Sequence, residues 1–426
     1  MGFPPQGIAI PAVADTRTST IVVAASNSLD PNLAPAAYRC DGVADDVELN
    51  AALIAAAAVN GRVELLEGAY NTVLTLSVAV NVALVGNGSG SVINFNAGGN
   101  AITIAGDNVK LRDFKVVIVA GAGGAGTRPN GIMANTQTKI EIFGVWVIGD
   151  RTVADDGSNL RQNGVYIYLA PESRILNNRV EENNRQNIFL HTTDDCAVTG
   201  NTCYNGYRGV YLYLSNNNTI VGNTCQGNTI DGIRLFTGSE NNTIVGNTSQ
   251  GNGNNGISLG TANNNTIVGN TFQGNGFDGI ILSTADNNTV VGNTCQGNTY
   301  DGIRLFTDSD NNTVVGNTCQ GNTIDGIGIE DGSDSNLVMG NTCKLNGEWG
   351  IMVDTNSDYN KISNNYTNGN TSGSIRVNNA NCNNTQIEFN TVEEGAPSDV
   401  GTATRSYGNY DPSADAFVGN VGAAPF

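Results

Sequence analysis

Residues 292–327 read GNTCQGNTYDGIRLFTDSDNNTVVGNTCQGNTIDGI, and residues 316–327 repeat residues 292–303 with a single change. The Gly-aliphatic step Gly302-Ile303 returns at Gly326-Ile327, and the Gly-Asn-Thr-Cys that opens at Gly292 returns at Gly316. Outward from there the step recurs at Gly164-Val165, Gly209-Val210, Gly232-Ile233, Gly256-Ile257, Gly279-Ile280 and Gly350-Ile351. Asn187-Ile188 and Ser374-Ile375 fill the same slot without glycine. The repeat runs through residues 163–378 with a period of about 23 residues, and such a period means stacked units that each bury a neighbour's apolar face. Asn, Gly, Thr and Val dominate and no helical period is present, so the unit is one turn of a parallel β-helix.

A solenoid grows in one dimension, so 426 residues need no division into ordinary domains. The core of such a column is narrow, and 39% apolar residues suffice to fill it. A formal charge of −19 argues against nucleic acid, whose phosphates call for a basic surface. It favours solubility and is compatible with Ca2+, with no cofactor required. The start MGFPPQGIAIPAVADTRTST has neither a basic n-region nor a long apolar h-region, so no secretory signal is expected there. No apolar run is long enough to span a membrane. An extracellular or virion-surface site of action would then rest on another export route, such as assembly into a virus particle.

Cys203, Cys225, Cys295, Cys319 and Cys343 occupy one repeat slot, which Ser249 and Phe272 fill in other turns. A slot that accepts Phe is a packing slot, so these are expected to be free interior thiols rather than a disulfide framework. Cys40, Cys196 and Cys382 are too scattered to pair. The Asn-x-Thr triplets, such as Asn217-Asn218-Thr219 and Asn241-Asn242-Thr243, read first as structure: Asn stacked at the turns can bond coil to coil.

Residues 1–30 read as an arm, 31–395 as the β-helix with regular repeats over 163–392, and 396–426 as a cap or tail. Asp45 and Glu48 suggest a capping box for a helix over about 45–60, with Leu49, Leu53, Ile54 and Ala57 at helical spacing and Gly61 as the stop. Such a helix would plug the first coil and cover its open edge. Two stretches, residues 121–130 and 149–163, break the regular coil, and long loops on a solenoid tend to carry function.

The segments CDGVADDVELNAAL, GRVELLEGAYNT and NVALVGNGSGSVI, with the later NNTIVGNT units, resemble the pectate lyase-like superfamily of right-handed β-helices. The resemblance covers roughly residues 38–392. It implies an all-β, right-handed parallel β-helix of the tail-spike or polysaccharide lyase type. One scaffold of this kind hosts lyases, hydrolases, epimerases and pure binders, so the function has to be argued from the site.

Strand side chains alternate faces, so the first and third residues after each glycine slot point inward and the second and fourth outward. Tyr166, Phe189, Tyr211 and Arg234 then form one outward column, and Tyr168, His191, Tyr213 and Phe236 the next. Stacked rings offer flat platforms for sugar faces; alternatively a loop, the tail or a second subunit of a homotrimer covers them. Arg151, Arg161, Arg174, Arg179, Arg185 and Arg208 fall within 58 residues, alongside Asp155, Asp156, Glu172, Glu181, Glu182, Asp194 and Asp195. Arg185 and Arg208 should flank the aromatic face, and a guanidinium fork suits a carboxylate. The expected partner is a polysaccharide.

β-Elimination on a uronic acid polymer needs a cation, a base and an acid, which Arg208, His191 and Tyr213 or Tyr168 could supply. The Asp-Pro-His-Glu motif of mannuronan epimerases is absent. A glycoside hydrolase would instead use paired carboxylates, for which Glu330 with Asp354 are the candidates. Asp278, Asp301 and Asp325 stack before their glycines. They read as turn residues, as a further carboxylate set or as a weak Ca2+ site. A non-enzymatic adhesin or fibre is the competing class.

Overall fold

The computed structural model describes residues 19–28, 36–122, 129–151, 162–399, 401, 404–414 and 416–418. The bulk of the proposed arm, most of both irregular stretches (with Asp155, Asp156 and Arg161) and the last residues of the tail lie outside them. Contacts divide the chain into two compact units, Met1–Thr224 and Cys225–Phe426. Each is a parallel β-helix, the class the repeat predicts, and right-handed as the resemblance implies.

In the first unit a turn carries three short strands, for example Val165–Tyr168, Arg174–Leu176 and Arg179–Glu181, before the next turn begins at Gln186–His191. Strands one turn apart pair in parallel without slippage: Val165 faces Ile188 and Ile167 faces Leu190. These four side chains, and Val210 and Leu212 of the next turn, are fully buried. The alternation read from the sequence therefore sets the inward and outward faces.

The second unit follows the same plan with more regular turns, and its two glycine types serve different ends. A Cβ on Gly302 would lie 2.5 Å from the Gly326 carbonyl oxygen and 2.8 Å from the Cys319 Cβ, so at this turn the slot has no room for a side chain. Gly292, by contrast, has open space around it and a φ of +62°, the left-handed turn conformation glycine adopts without strain. Beneath the glycine slot the cysteines register coil on coil, Cys295 with Cys319 and Cys319 with Cys343. Phe272 and Ser249 continue the column. All eight cysteines of the chain are buried and free.

Asparagine ladders run beside that column. Asn270 donates from its side chain to Asn293 Oδ1 at 2.9 Å and to the Ile244 carbonyl at 3.0 Å, while its backbone N–H also donates to Asn293 Oδ1 at 2.9 Å. Asn293, Asn317 and Asn341 repeat the pattern. Each rung satisfies buried backbone groups at a turn, where no strand partner exists. In the triplets that begin at Asn241, Asn264 and Asn287 the middle residue, Asn242, Asn265 or Asn288, is the ladder residue.

Three expectations need correction. The helix spans Asp46–Ala57 and buries Leu49, Ala52, Leu53 and Ala56, as a plug should, but Ile54 is exposed and Asp45 makes no side-chain cap. Its carboxylate instead accepts the Gly42 and Asn71 N–H groups at 2.8 and 2.7 Å, tying helix to first coil. The left-handed residue at the helix end is Asn60, with Gly61 donating back to Ala56. Thr20–Ala24, assigned to the arm, is a strand paired with Arg62–Leu65. At the other end Asn409–Asp411 takes an antiparallel partner, Ala416–Val418, which covers that sheet edge as a cap would.

Candidate functional site

The outward residues of Val165–Tyr168, Gln186–His191 and Arg208–Tyr213 meet on one sheet of the first unit. Tyr166, Phe189 and Tyr211 are in register, as are Tyr168, His191 and Tyr213. The first column is a ring stack: Tyr166 to Phe189 and Phe189 to Tyr211 are both 4.9 Å between centroids, tilted by only 9° and 10°. That distance is the strand spacing itself, so the sheet sets the stack. Phe189, covered by a ring on either side, is 9% exposed although it points outward.

The second column is tilted rather than stacked, with His191 at 4.8 Å from Tyr168 and 5.2 Å, edge-on, from Tyr213. His191 Nδ1 is 2.8 Å from the Tyr166 hydroxyl, which ties the two columns together. Burial among the rings lowers the imidazole's pKa, so His191 is neutral at and above neutral pH. A neutral imidazole with one nitrogen held by a neighbour is suited to proton transfer at the other.

Arg185 and Arg208 flank this face, as their positions predict. Both guanidiniums lie against the Tyr207 ring, at 5.4 and 4.9 Å, and Arg208 also lies 5.3 Å from the Tyr211 centroid. Sequence reasoning missed Tyr207, because it precedes the strand and belongs to neither column; its place directly before Arg208 was the available signal. Arg174 and Arg179 pair with Glu141 and Glu181 instead, the bland alternative for a surface arginine. Gln162 accepts the Asp150 and Asn184 N–H groups, and its carbonyl accepts that of Arg185, so the irregular stretch returns beside this face.

Arg234 and Phe236 belong to the second unit. There Arg234 lies 4.5 Å from the Phe236 ring and 3.4 Å from the buried Asp231 carboxylate. The same six-residue run recurs at Asp301–Phe306, with Arg304 over Phe306 at 4.1 Å. The suggested hydrolase pair is otherwise engaged: Glu330 binds Arg304 at 2.6 Å, whereas Asp354 accepts the Thr355 N–H and the Asn378 amide. The acids before the glycines are not surface turn residues. Asp278 and Asp301 are fully buried and Asp325 nearly so, each accepting the backbone N–H one turn on. Burial pushes Asp278 and Asp325 up to about 7 and Asp301 well above its ordinary value.

Among solved structures, the A-module of mannuronan C-5 epimerase AlgE6 from Azotobacter vinelandii is similar at a TM-score of 0.60 and 18% identity. The match covers 85% of this chain and 96% of that one. The AlgE4 A-module of the same organism gives 0.56 at 18% identity, over 77% and 93%. The Dettilon tailspike protein gives 0.51 at 19% identity, over 69% and 63%. At such identities the likeness is one of fold. No curated protein sequence matches the chain.

A family described as periplasmic copper-binding protein, NosD, matches residues 135–323 and, overlapping, 248–410. The donor set described here does not fit copper, which favours imidazole, thiolate and thioether ligands. The column cysteines point inward with no exposure, and Cys319 and Cys343 have thiols held well above their ordinary range. His191 has one nitrogen engaged by Tyr166. Cys40, near Asp45 and Glu48, is pushed up to about 12, foremost by burial, and both oxygens of Asp45 accept backbone hydrogen bonds. The family name is thus carried by the repeat and not by a copper site among the described residues. With the two spans together reaching from residue 135 to residue 410, the chain belongs to the NosD family of β-helix proteins.

Proposed function

We propose that the aromatic face of the first unit binds an anionic extracellular polysaccharide and cleaves it as a lyase. The observation that carries this reading is the Tyr166–Phe189–Tyr211 stack with Arg208 laid against its end and a neutral His191 in the adjacent column. A row of parallel rings spaced along the solenoid offers apolar contact to sugar faces, and a guanidinium beside it offers a fork to a uronate carboxylate. The mannuronan C-5 epimerase modules that share the fold act on a polysaccharide, which lends the substrate class support.

In this reading Arg208 neutralises the uronate carboxylate, which acidifies the C5 proton. In the tautomer whose Nδ1–H donates to Tyr166, His191 Nε2 carries the lone pair that accepts that proton. The C5 electron pair forms a C4–C5 double bond as the C4–O bond breaks. Tyr213 or Tyr168, on either side of His191, protonates the departing oxygen. Arg185 and Tyr207 are assigned to substrate contact.

Incubation with a panel of uronic acid polymers, followed by the absorbance of the unsaturated product, tests the lyase. C5 proton exchange without that absorbance would mean epimerisation, since both reactions start with the same proton abstraction. Binding with neither would make the protein an adhesin, and action on neutral glycans alone would replace the anionic substrate.

A further inference from the structure

The second unit buries an unusual concentration of acid. Asp278, Asp301 and Asp325 stack one per turn, and Glu330 reaches the same place from the strand end beyond Gly328. Four carboxylates there face one guanidinium, that of Arg304. Arg304 spends its contact on a single oxygen: Nη2 and Nε donate to Glu330 Oε2 at 2.6 and 3.1 Å, while Nε lies 4.0 Å from Asp301 Oδ2. Glu330 Oε1 is left over.

Two further observations separate this cluster from an ordinary acidic patch. Asp301, whose side chain has no exposure, uses Oδ1 to accept the Asp325 N–H but has no hydrogen-bond donor for Oδ2. Asp278 is arranged alike, with Oδ1 on the Asp301 N–H and Oδ2 without a donor. A buried carboxylate oxygen with no donor is costly, and it points to a ligand. The second observation is a gap. Gly328 stands where Arg304 and Met352 stand in the adjoining turns, and a Cβ there would lie 2.9 Å from Asp301 Oδ2 and 3.2 Å from Glu330 Oε1. Both lone oxygens therefore border the space that the missing side chain leaves.

We infer that Asp301, Asp325 and Glu330 form a site for one divalent cation, entered over Gly328. One oxygen from each lies within 4.8 Å of the others, which matches the width of a Ca2+ shell with Ca–O distances of about 2.3–2.6 Å. Mg2+, with bonds of about 2.0–2.1 Å and a rigid octahedron, would require the oxygens to close in. Oxygen-only donors make the site hard, so Ca2+ is the preferred ion. Asp278 lies one turn away as an outer negative charge, and Arg304 holds Glu330 in place without filling its free oxygen. The site is independent of the aromatic face and stands whether or not that face binds sugar.

The test is calorimetric titration of chelator-treated full-length protein with CaCl2 at about pH 8, where carboxylates in a cation site are ionised. The expected result is one saturable Ca2+ per chain, a rise in melting temperature with Ca2+ and weaker binding of Mg2+. Asp301→Asn and Glu330→Gln should each weaken Ca2+ at least about tenfold. Gly328→Ala, which alters no carboxylate, should do the same by filling the gap. No saturable binding by the folded wild-type protein overturns the inference, as does unchanged affinity in folded Asp301→Asn and Gly328→Ala.

Discussion

The outward sheet face around Tyr166–Tyr213 and the acid stack at Asp278–Asp325 use the same device to opposite ends. Both place one side chain per turn at the strand spacing. In the first unit the stacked groups are rings, which gain from contact, and the outer two can stay partly exposed: Tyr166, Phe189 and Tyr211 form a nearly parallel stack. In the second they are carboxylates, which repel at such spacing and are buried as well. A repeat copies whatever its turn contains, and copying neutral Asn or Cys stabilises the column while copying Asp loads it with charge. The apolar stack needs no ligand to persist, but the acid stack needs protons or a cation.

The comparison breaks most sharply at His191. His191→Ala should reduce turnover of a uronic acid polymer by about 10²–10⁴-fold while affinity holds, because only proton transfer is lost. Steady-state rates beside direct binding check this, and undiminished turnover would remove the imidazole from the chemistry.

Next in size is the asparagine ladder of the second unit. Asn293→Ala deletes the side-chain bonds to Asn317 and Ile267, leaves the Asn270 backbone N–H without its acceptor and removes one bond of the Asn270 side chain. With buried groups left unpaired at about 1–3 kcal/mol each, denaturant unfolding should show a loss of several kcal/mol.

Tyr211→Ala should weaken polymer binding by roughly 1–3 kcal/mol, the scale of an aromatic anchor, with little change in stability. Arg208→Ala should affect anionic polymers more than neutral ones. If both variants bind normally, the ring face is covered in the working protein and serves as an interface.

The last test is the pH response of the acid stack. Asp278 and Asp325 titrate at about 7 in the fold, raised foremost by burial, against about 3.9 in an unfolded chain. Between those values the folded chain holds protons the unfolded chain has lost, so in chelator stability is greatest at the acid end. It falls as pH rises from about 4 to about 7. Melting temperatures across that range should show the decline, and Ca2+ should reverse it only toward the upper end. A flat profile would mean the acids are ionised and solvated, unlike anything in the buried stack.

Much of this was legible in the chain. The Gly-aliphatic step marked the turn, and the two-residue alternation assigned Val165 and Ile167 inward and Tyr166 and Tyr168 outward. The slot shared by Cys, Ser and Phe marked an interior column. These features follow from local geometry that every turn must repeat. Other features depend on neighbours a full turn away. Asp-Gly looks alike in an exposed turn and in a buried ladder, and only the Asp301 oxygen bound to the Asp325 N–H distinguishes them. Asp45 looked like a helix cap because Glu48 follows three positions later, yet the Gly42 and Asn71 N–H groups compete for it and win.

The sequence by itself determined the parallel β-helix, its inward faces and the two ring columns, because a repeat imposes one register on every turn. Only the tertiary structure decided what each polar group faces. It turned Arg208 onto Tyr207 and Tyr211, tied His191 to Tyr166, paired Arg304 with Glu330 and left Asp301 Oδ2 without a donor beside the gap at Gly328. The physical reason is range: alternation along a strand is fixed within a few residues, whereas a hydrogen bond or an ion pair is fixed by whichever side chain the next turn brings within reach.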